Sequence, residues 1–206
     1  KQFMRRLITF GDSWTAGHGV ETEKEYKENS APPKFIEKLR EQNSFPKWLG
    51  NLLNISYINL GVCGFGNEYI YKAVEENLKF INKEDIIVIV FSYPHRYQKY
   101  NQYTPEELFK KFETLLYGYK KFYFNGFYPF IENDNFNFPK YYINPKGTLS
   151  YQLQVEEMVN KKSVWEYGSK MVWNDEENYY EGDYHPNLEG YKLIGEYMYK
   201  ELKDKI

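Results

Sequence analysis

Cysteine occurs once in the 206-residue sequence, at Cys63, and histidine three times, at His18, His95 and His185. An internal disulfide is therefore impossible, and Cys and His together are too few for a zinc site. The expectation is no metal and no cofactor. Charge of one sign is lacking too, because 27 Lys and Arg stand against 29 Asp and Glu, a formal net charge of −2. Such a balance speaks against nucleic-acid binding driven by bulk charge, and 42% hydrophobic residues speak against a disordered tail. No apolar run reaches the roughly 18 residues of a membrane-spanning helix. No leader is visible after Lys1, so a cytoplasmic setting is favoured, although a start at Lys rather than Met also fits a trimmed chain. Aromatic residues, by contrast, are plentiful: 20%, led by 22 Tyr and 15 Phe. They fit either a general Lys/Asn/Tyr/Phe-leaning usage or rings that stack on sugar faces.

The length suits one domain with a core of its own. Arg6-Leu-Ile-Thr-Phe10 is a short apolar run stopped by Gly11, as in a buried strand. Residues 45–53 carry Pro46 at a helix start and Trp48, Leu49, Leu52 and Leu53 at helical spacing, and residues 55–60 read as a second strand. A helix is expected over 67–80, then a strand over 86–91, whose six apolar residues are rich in β-branching. Three strand–loop–helix units in succession predict a parallel sheet covered by helices on both faces. Thr104-Pro105-Glu-Glu starts a helix expected to reach Tyr119. Residues 122–150, aromatic and Pro-punctuated without a clean period, predict a lid-like insertion at the substrate end. Residues 151–160 read as helix, 170–173 as a short edge strand, and 188–203 as the last helix, with Leu193, Ile194, Met198 and Leu202 in phase.

Three motifs carry chemistry. The first strand runs into Gly11-Asp12-Ser13-Trp14, placing a serine where open α/β sheets bind their ligands. Taken alone, the tripeptide also suits an ordinary loop. Asn59-Leu-Gly61-Val-Cys-Gly64-Phe-Gly66-Asn67 follows the second strand, and glycines there let the main chain approach a ligand and aim an N–H at an oxyanion. Its glycine spacing is wrong for a dinucleotide loop. The third motif is Gly182-Asp183-Tyr184-His185-Pro186-Asn187, ahead of the last helix. A serine hydroxyl needs a base, imidazole is the usual one, and a carboxylate on the far ring nitrogen sets its tautomer. His185 has Asp183 and Glu181 two and four residues before it.

In this order and spacing the motifs resemble the SGNH/GDSL family of serine hydrolases. The resemblance implies a three-layer α/β/α fold of the flavodoxin-like kind, with a parallel central sheet. It also implies a single domain over residues 1–206, carrying the aromatic-rich insertion around 122–150. Ser13 would be the nucleophile, His185 the base, and the amides of Ser13 and Gly64 the oxyanion donors.

The sequence departs from the family twice. The family's Asp stands three residues before the His, where this chain has Gly182; Asp183 ranks first as substitute and Glu181 second, with a Ser–His dyad as the remaining arrangement. The family's Gly-x-Asn-Asp after the third strand is replaced by Phe91-Ser92-Tyr93-Pro94-His95-Arg96, so its oxyanion asparagine is missing, and Ser92, Asn67 or Arg96 would have to stand in. Arg96 would also suit an anionic substrate, or else pair with a nearby Glu, and Trp14 is a candidate for substrate contact. Cys63 reads as a small buried residue, and His18 as a side chain near enough to Ser13 to line the pocket, though solvent exposure is favoured for it. The expected activity is ester hydrolysis, first of an O-acetyl group on a glycan. The alternatives are acyl transfer to a polysaccharide and glycan binding without catalysis. The expected partner is a small-molecule or glycan ester; the oligomeric state stays open.

Overall fold

The computed structural model describes residues 4–18, 33–94, 102–126, 128–149, 172–174, 179–181, 186 and 188–206; for 33–36, 172–174 and 179–181 the backbone alone is described. In chain order the elements are β1 (Arg6–Gly11), α1 (Ser13–Ala16), α2 (Pro33–Asn43), α3 (Phe45–Leu53), β2 (Ser56–Gly61) and α4 (Asn67–Asn77). A 3-10 turn (Leu78–Phe80) then leads to β3 (Ile86–Phe91), α5 (Pro105–Leu115), β4 (Lys120–Asn125), β5 (Val172–Asn174), β6 (Tyr179–Glu181) and α6 (Leu188–Leu202). The main sheet is all parallel in the order β2-β1-β3-β4, with Gly11 opposite Gly61 and Phe91 opposite Asn125. Chain order reverses between β1 and β3, so a crevice opens at the carboxyl ends of these two strands.

Alternation along the strands builds two cores. Leu7, Ile86, Val88, Val90, Phe122 and Phe124 face Phe45 and Leu49 of α3 and Tyr191, Ile194, Met198 and Leu202 of α6. Ile8, Phe10, Ile87, Ile89, Phe91 and Tyr123 face Ile70 and Val74 of α4 and Leu108, Phe109 and Phe112 of α5. A strand buried on both faces has no polar side, which is why β3 reads as a continuous apolar run. The start of α5 follows its sequence: Thr104 Oγ1 accepts from Glu107 N (3.2 Å), Glu107 Oε2 accepts from Thr104 N (2.9 Å), and Pro105 opens the helix.

Three expectations are corrected. The stretch expected to leave the domain at residue 122 begins inside the sheet, because 120–125 form β4. Lys-Lys-Phe-Tyr-Phe-Asn hides its period of two, since Phe122 and Phe124 face one core and Tyr123 the other. Residues 128–149 then cap the end of β4. Asn125 Nδ2 donates to Pro145 O and Gly147 O, Asn125 Oδ1 accepts from Phe130 N and the Tyr142 hydroxyl, and Tyr142 bridges to Tyr123. This covers an edge that would otherwise present unpaired N–H and C=O groups. The helix expected to reach Tyr119 stops at Leu115, where the chain turns to begin β4. The strand expected near 170–173 is β5, which pairs with β6 in a separate antiparallel ribbon rather than at the edge of the main sheet. The helix expected over 151–160 lies outside the described residues.

Candidate active site

Everything at the crevice starts from the four residues of α1. Asp12 caps this helix, its Oδ1 accepting from Trp14 N (3.0 Å), and Ser13 follows as the first helical residue, 4% exposed. The other carboxylate oxygen of Asp12 accepts the Ser92 hydroxyl at 2.7 Å, across 80 positions of sequence. Ser92 is itself clamped by Asn67, which accepts from Ser92 N (2.8 Å) and donates to Ser92 O (3.0 Å). One chain of hydrogen bonds thus joins the end of β3, the start of α4 and the start of α1. Of the expected substitutes for the missing asparagine, Ser92 directs its hydroxyl proton to Asp12, and Asn67 uses both ends of its amide on the Ser92 backbone.

The β2–α4 loop lies against the same helix. Val62 N donates to Gly11 O (3.0 Å), extending the ladder one step beyond the strands. Phe65 N donates to Val62 O (3.2 Å), closing a tight turn in which Gly64 stands third with φ +85°. A side chain is strained in that left-handed conformation, so glycine belongs there. Gly61 is needed for a different reason, close approach: a Cβ on it would lie 2.5 Å from Ala16 N. Asn59 braces the helix from below, its Nδ2 donating to Thr15 O (2.8 Å) and Ser44 Oγ (3.1 Å).

The last helix reaches the same point. Tyr191, fully buried in the first turns of α6, donates its hydroxyl to His18 O (2.6 Å) and approaches Ser13 O (3.5 Å). Cys63, expected to be buried, is exposed, with Arg40 Nη1 3.7 Å and His18 Nδ1 3.8 Å from its sulfur. Its loop turns outward, so a small apolar side chain gains no burial there. Trp14 belongs to the core cluster of Phe45, Leu49 and Tyr191 and is 5% exposed. His185, Asp183, His95 and Arg96 lie outside the described residues, and Glu181 is described only as the backbone end of β6. Beside Asn67, a cavity of about 350 Å³ is lined by Glu68, Pro94, Tyr103, Glu107 and Phe130 among others.

No protein-family model matches the sequence, and no curated protein does. Solved structures do match. A GDSL-like lipase from Parabacteroides merdae superposes with a TM-score of 0.53 at 13% identity, covering 98% of this chain and 96% of that one. LAE5, an alpha/beta hydrolase enzyme from the metagenome of Lake Arreo, gives 0.52 at 14% identity over 97% of this chain and 96% of its own. This chain has the SGNH/GDSL hydrolase fold. A carbohydrate esterase family 2 enzyme with a carbohydrate binding domain, from Corynascus thermopiles (Myceliophthora fergusii), shares the architecture with a TM-score of 0.50 at 18% identity, over 95% of this chain and 64% of that one.

Within this SGNH/GDSL frame, sequence reasoning quoted Asp12 and Asn59 but assigned them no task, and passed over Tyr191. A signal for Tyr191 exists: it stands three, seven and eleven residues before Ile194, Met198 and Leu202, on the buried stripe of α6. A phenol on such a stripe brings a hydroxyl that needs a partner inside the protein.

Proposed function

We propose that the chain is a serine esterase that hydrolyses a carboxylic ester, with an O-acetyl group on a carbohydrate as its substrate class. Ser13 Oγ attacks the ester carbonyl while His185 takes its proton, and Asp183 orients the imidazole. The oxyanion rests on the N–H groups of Ser13 and Gly64. Its collapse breaks the bond to the sugar oxygen, which takes the proton from His185 and leaves as the sugar hydroxyl, and an acyl-serine remains. Water, deprotonated by His185, then releases acetate and restores the hydroxyl.

One observation carries the reading. Tyr191, six residues after His185 in sequence, hydrogen-bonds to the backbone beside Ser13, so the helix that follows the acid–His-Pro-Asn motif is anchored on the turn that holds the serine. The sugar ester is supported by the carbohydrate esterase among the similar structures and by the aromatic content.

The test is fluorophosphonate labelling with peptide mapping, alongside release of acetate from an acetylated xylose and from an aryl acetate. Label on Ser13, turnover abolished by Ser13→Ala, and loss of about 10³-fold or more with His185→Ala are expected. A Ser13→Ala protein that still labels or turns over like wild type overturns the assignment. Acetylated glycan accumulating from an acetyl donor without free acetate would make it a transferase.

A further inference from the structure

At the opposite end of the sheet from Ser13, where β4 begins, lies a cavity of about 400 Å³, within the range of small-molecule sites. Its lining is Lys120, Lys121, Lys140 and Lys205 together with Tyr119, Phe122 and Tyr141. The proposed chemistry uses none of them. Four ammonium groups around one concavity is unusual for a chain whose net charge is −2.

The carboxylates nearby do not neutralise this group. Glu113 stands 3.4 Å from Lys121 Nζ, but the same carboxylate accepts the hydroxyls of Tyr123 (2.8 Å) and Tyr141. Lys121 is only 8% exposed, donates to Leu116 O (3.1 Å), and sits 4.9 Å from the centre of the Tyr141 ring. An ammonium has three donors, of which one is bonded to Leu116 O while Glu113 makes a longer ion pair with the group. Lys205 has a loose 3.4 Å pair with Glu201, both side chains open to solvent. Burial first, and Arg5 second, hold the Lys120 ammonium below its usual pKa, while Glu84 pulls the other way. Among the described residues, the four lysines of the lining and the nearby Arg5 are thus set against Glu113, Glu201 and Glu84 as the carboxylates recorded as acting on them. A dianion restores neutrality, and the rings and lysine stems offer an apolar wall to whatever it is attached to.

We propose that this cavity is a second binding site, separate from the Ser13 crevice, for a phosphate monoester whose organic part is flat and apolar. Lys140 and Lys205 close on the phosphate from the exposed side and Lys121 meets it from the buried side. Tyr119, Phe122 and Tyr141 take the organic group.

The experiment is calorimetric titration of the full chain with phenyl phosphate at low ionic strength, with inorganic phosphate, phenol and benzoate as separate arms. Saturable one-to-one binding is expected for phenyl phosphate, weaker by about tenfold or more for the other three. The Lys140→Glu/Lys205→Glu double variant, both positions exposed, should weaken phenyl phosphate at least about tenfold and leave ester hydrolysis unchanged. In the wild-type chain the titration should shift the ring-proton resonances of Tyr119, Phe122 and Tyr141. Equal affinity for phosphate and phenyl phosphate, tighter binding of benzoate, binding that survives the double reversal, or shifts confined to the Ser13 end would each overturn the proposal.

Discussion

Replacing Ser92 by Ala removes one hydroxyl and leaves the Asp12 carboxylate with its Oδ2 deprived of the donor at 2.7 Å. Both residues are nearly enclosed, Ser92 at 2% and Asp12 at 8% exposure, so solvent does little to replace the bond. A hydrogen bond to a charged group contributes about 1.5–3 kcal/mol, and the Trp14 N–H still holds the other oxygen, so a loss of about 2 kcal/mol is expected. For a chain of this length that lowers Tm by about 4–8 °C. Urea unfolding followed by tryptophan fluorescence measures it, with an unchanged slope showing that the unfolded state is not involved. The fluorophosphonate reaction at Ser13 should slow as well, because the lost bond ties the cap of α1 to the end of β3. A double-mutant cycle with Asp12→Asn isolates the pair, and a coupling of about 1 kcal/mol or more is expected. A single-variant loss below about 0.5 kcal/mol, or a coupling near zero, would refute the claim that this contact holds the serine turn.

Tyr191→Phe keeps the ring but leaves the His18 carbonyl without its 2.6 Å donor; a loss of about 1–2 kcal/mol and a lower kcat for ester hydrolysis are expected from denaturation and steady-state assays. Gly61→Ala would drive a methyl to 2.5 Å from Ala16 N, so α1 must shift; destabilisation of about 2 kcal/mol or more and loss of Ser13 labelling should follow. Asp85 tests the pH dependence. Burial pushes its pKa up, but the Arg6 side chain, the Asn82 and Arg6 amides and the Arg6 charge outweigh it, so the net shift is downward. Its carboxylate accepts from Arg6 N (3.0 Å), Arg6 Nη2 (2.6 Å) and Asn82 N (2.9 Å). A depressed carboxylate contributes stability that is present above the unfolded pKa of about 3.9 and is lost as pH falls through the lower folded value. Asp85→Asn should therefore cost about 2–3 kcal/mol at pH 7, and the gap from wild type should narrow below about pH 4. A gap constant from pH 7 to pH 3 would show that Asp85 acts through shape rather than charge.

Strands and helices with one-sided or all-round apolar patterns were readable from residues alone. The run at 86–91, the Thr104–Glu107 cap and the periodic apolar positions of the last helix all express themselves within a few neighbouring residues. β4 was not readable, because aromatic residues on both of its faces leave no polar phase to count, and because it becomes a strand by pairing with β3. Cys63 was misread for a related reason: whether a thiol is buried depends on which elements arrive over it.

The amino-acid sequence by itself determined the alternation of strands and helices, the glycines that permit the two tight turns, and a serine at the first of them. Those are local matters of backbone sterics and apolar spacing. Only the tertiary structure decided that the Ser92 hydroxyl meets Asp12 and that Tyr191 meets the serine turn, contacts spanning 80 and 178 positions. No local pattern encodes such meetings. They follow from the parallel register of β1 and β3 and the docking of α6 on α3, which are set by how the whole core packs.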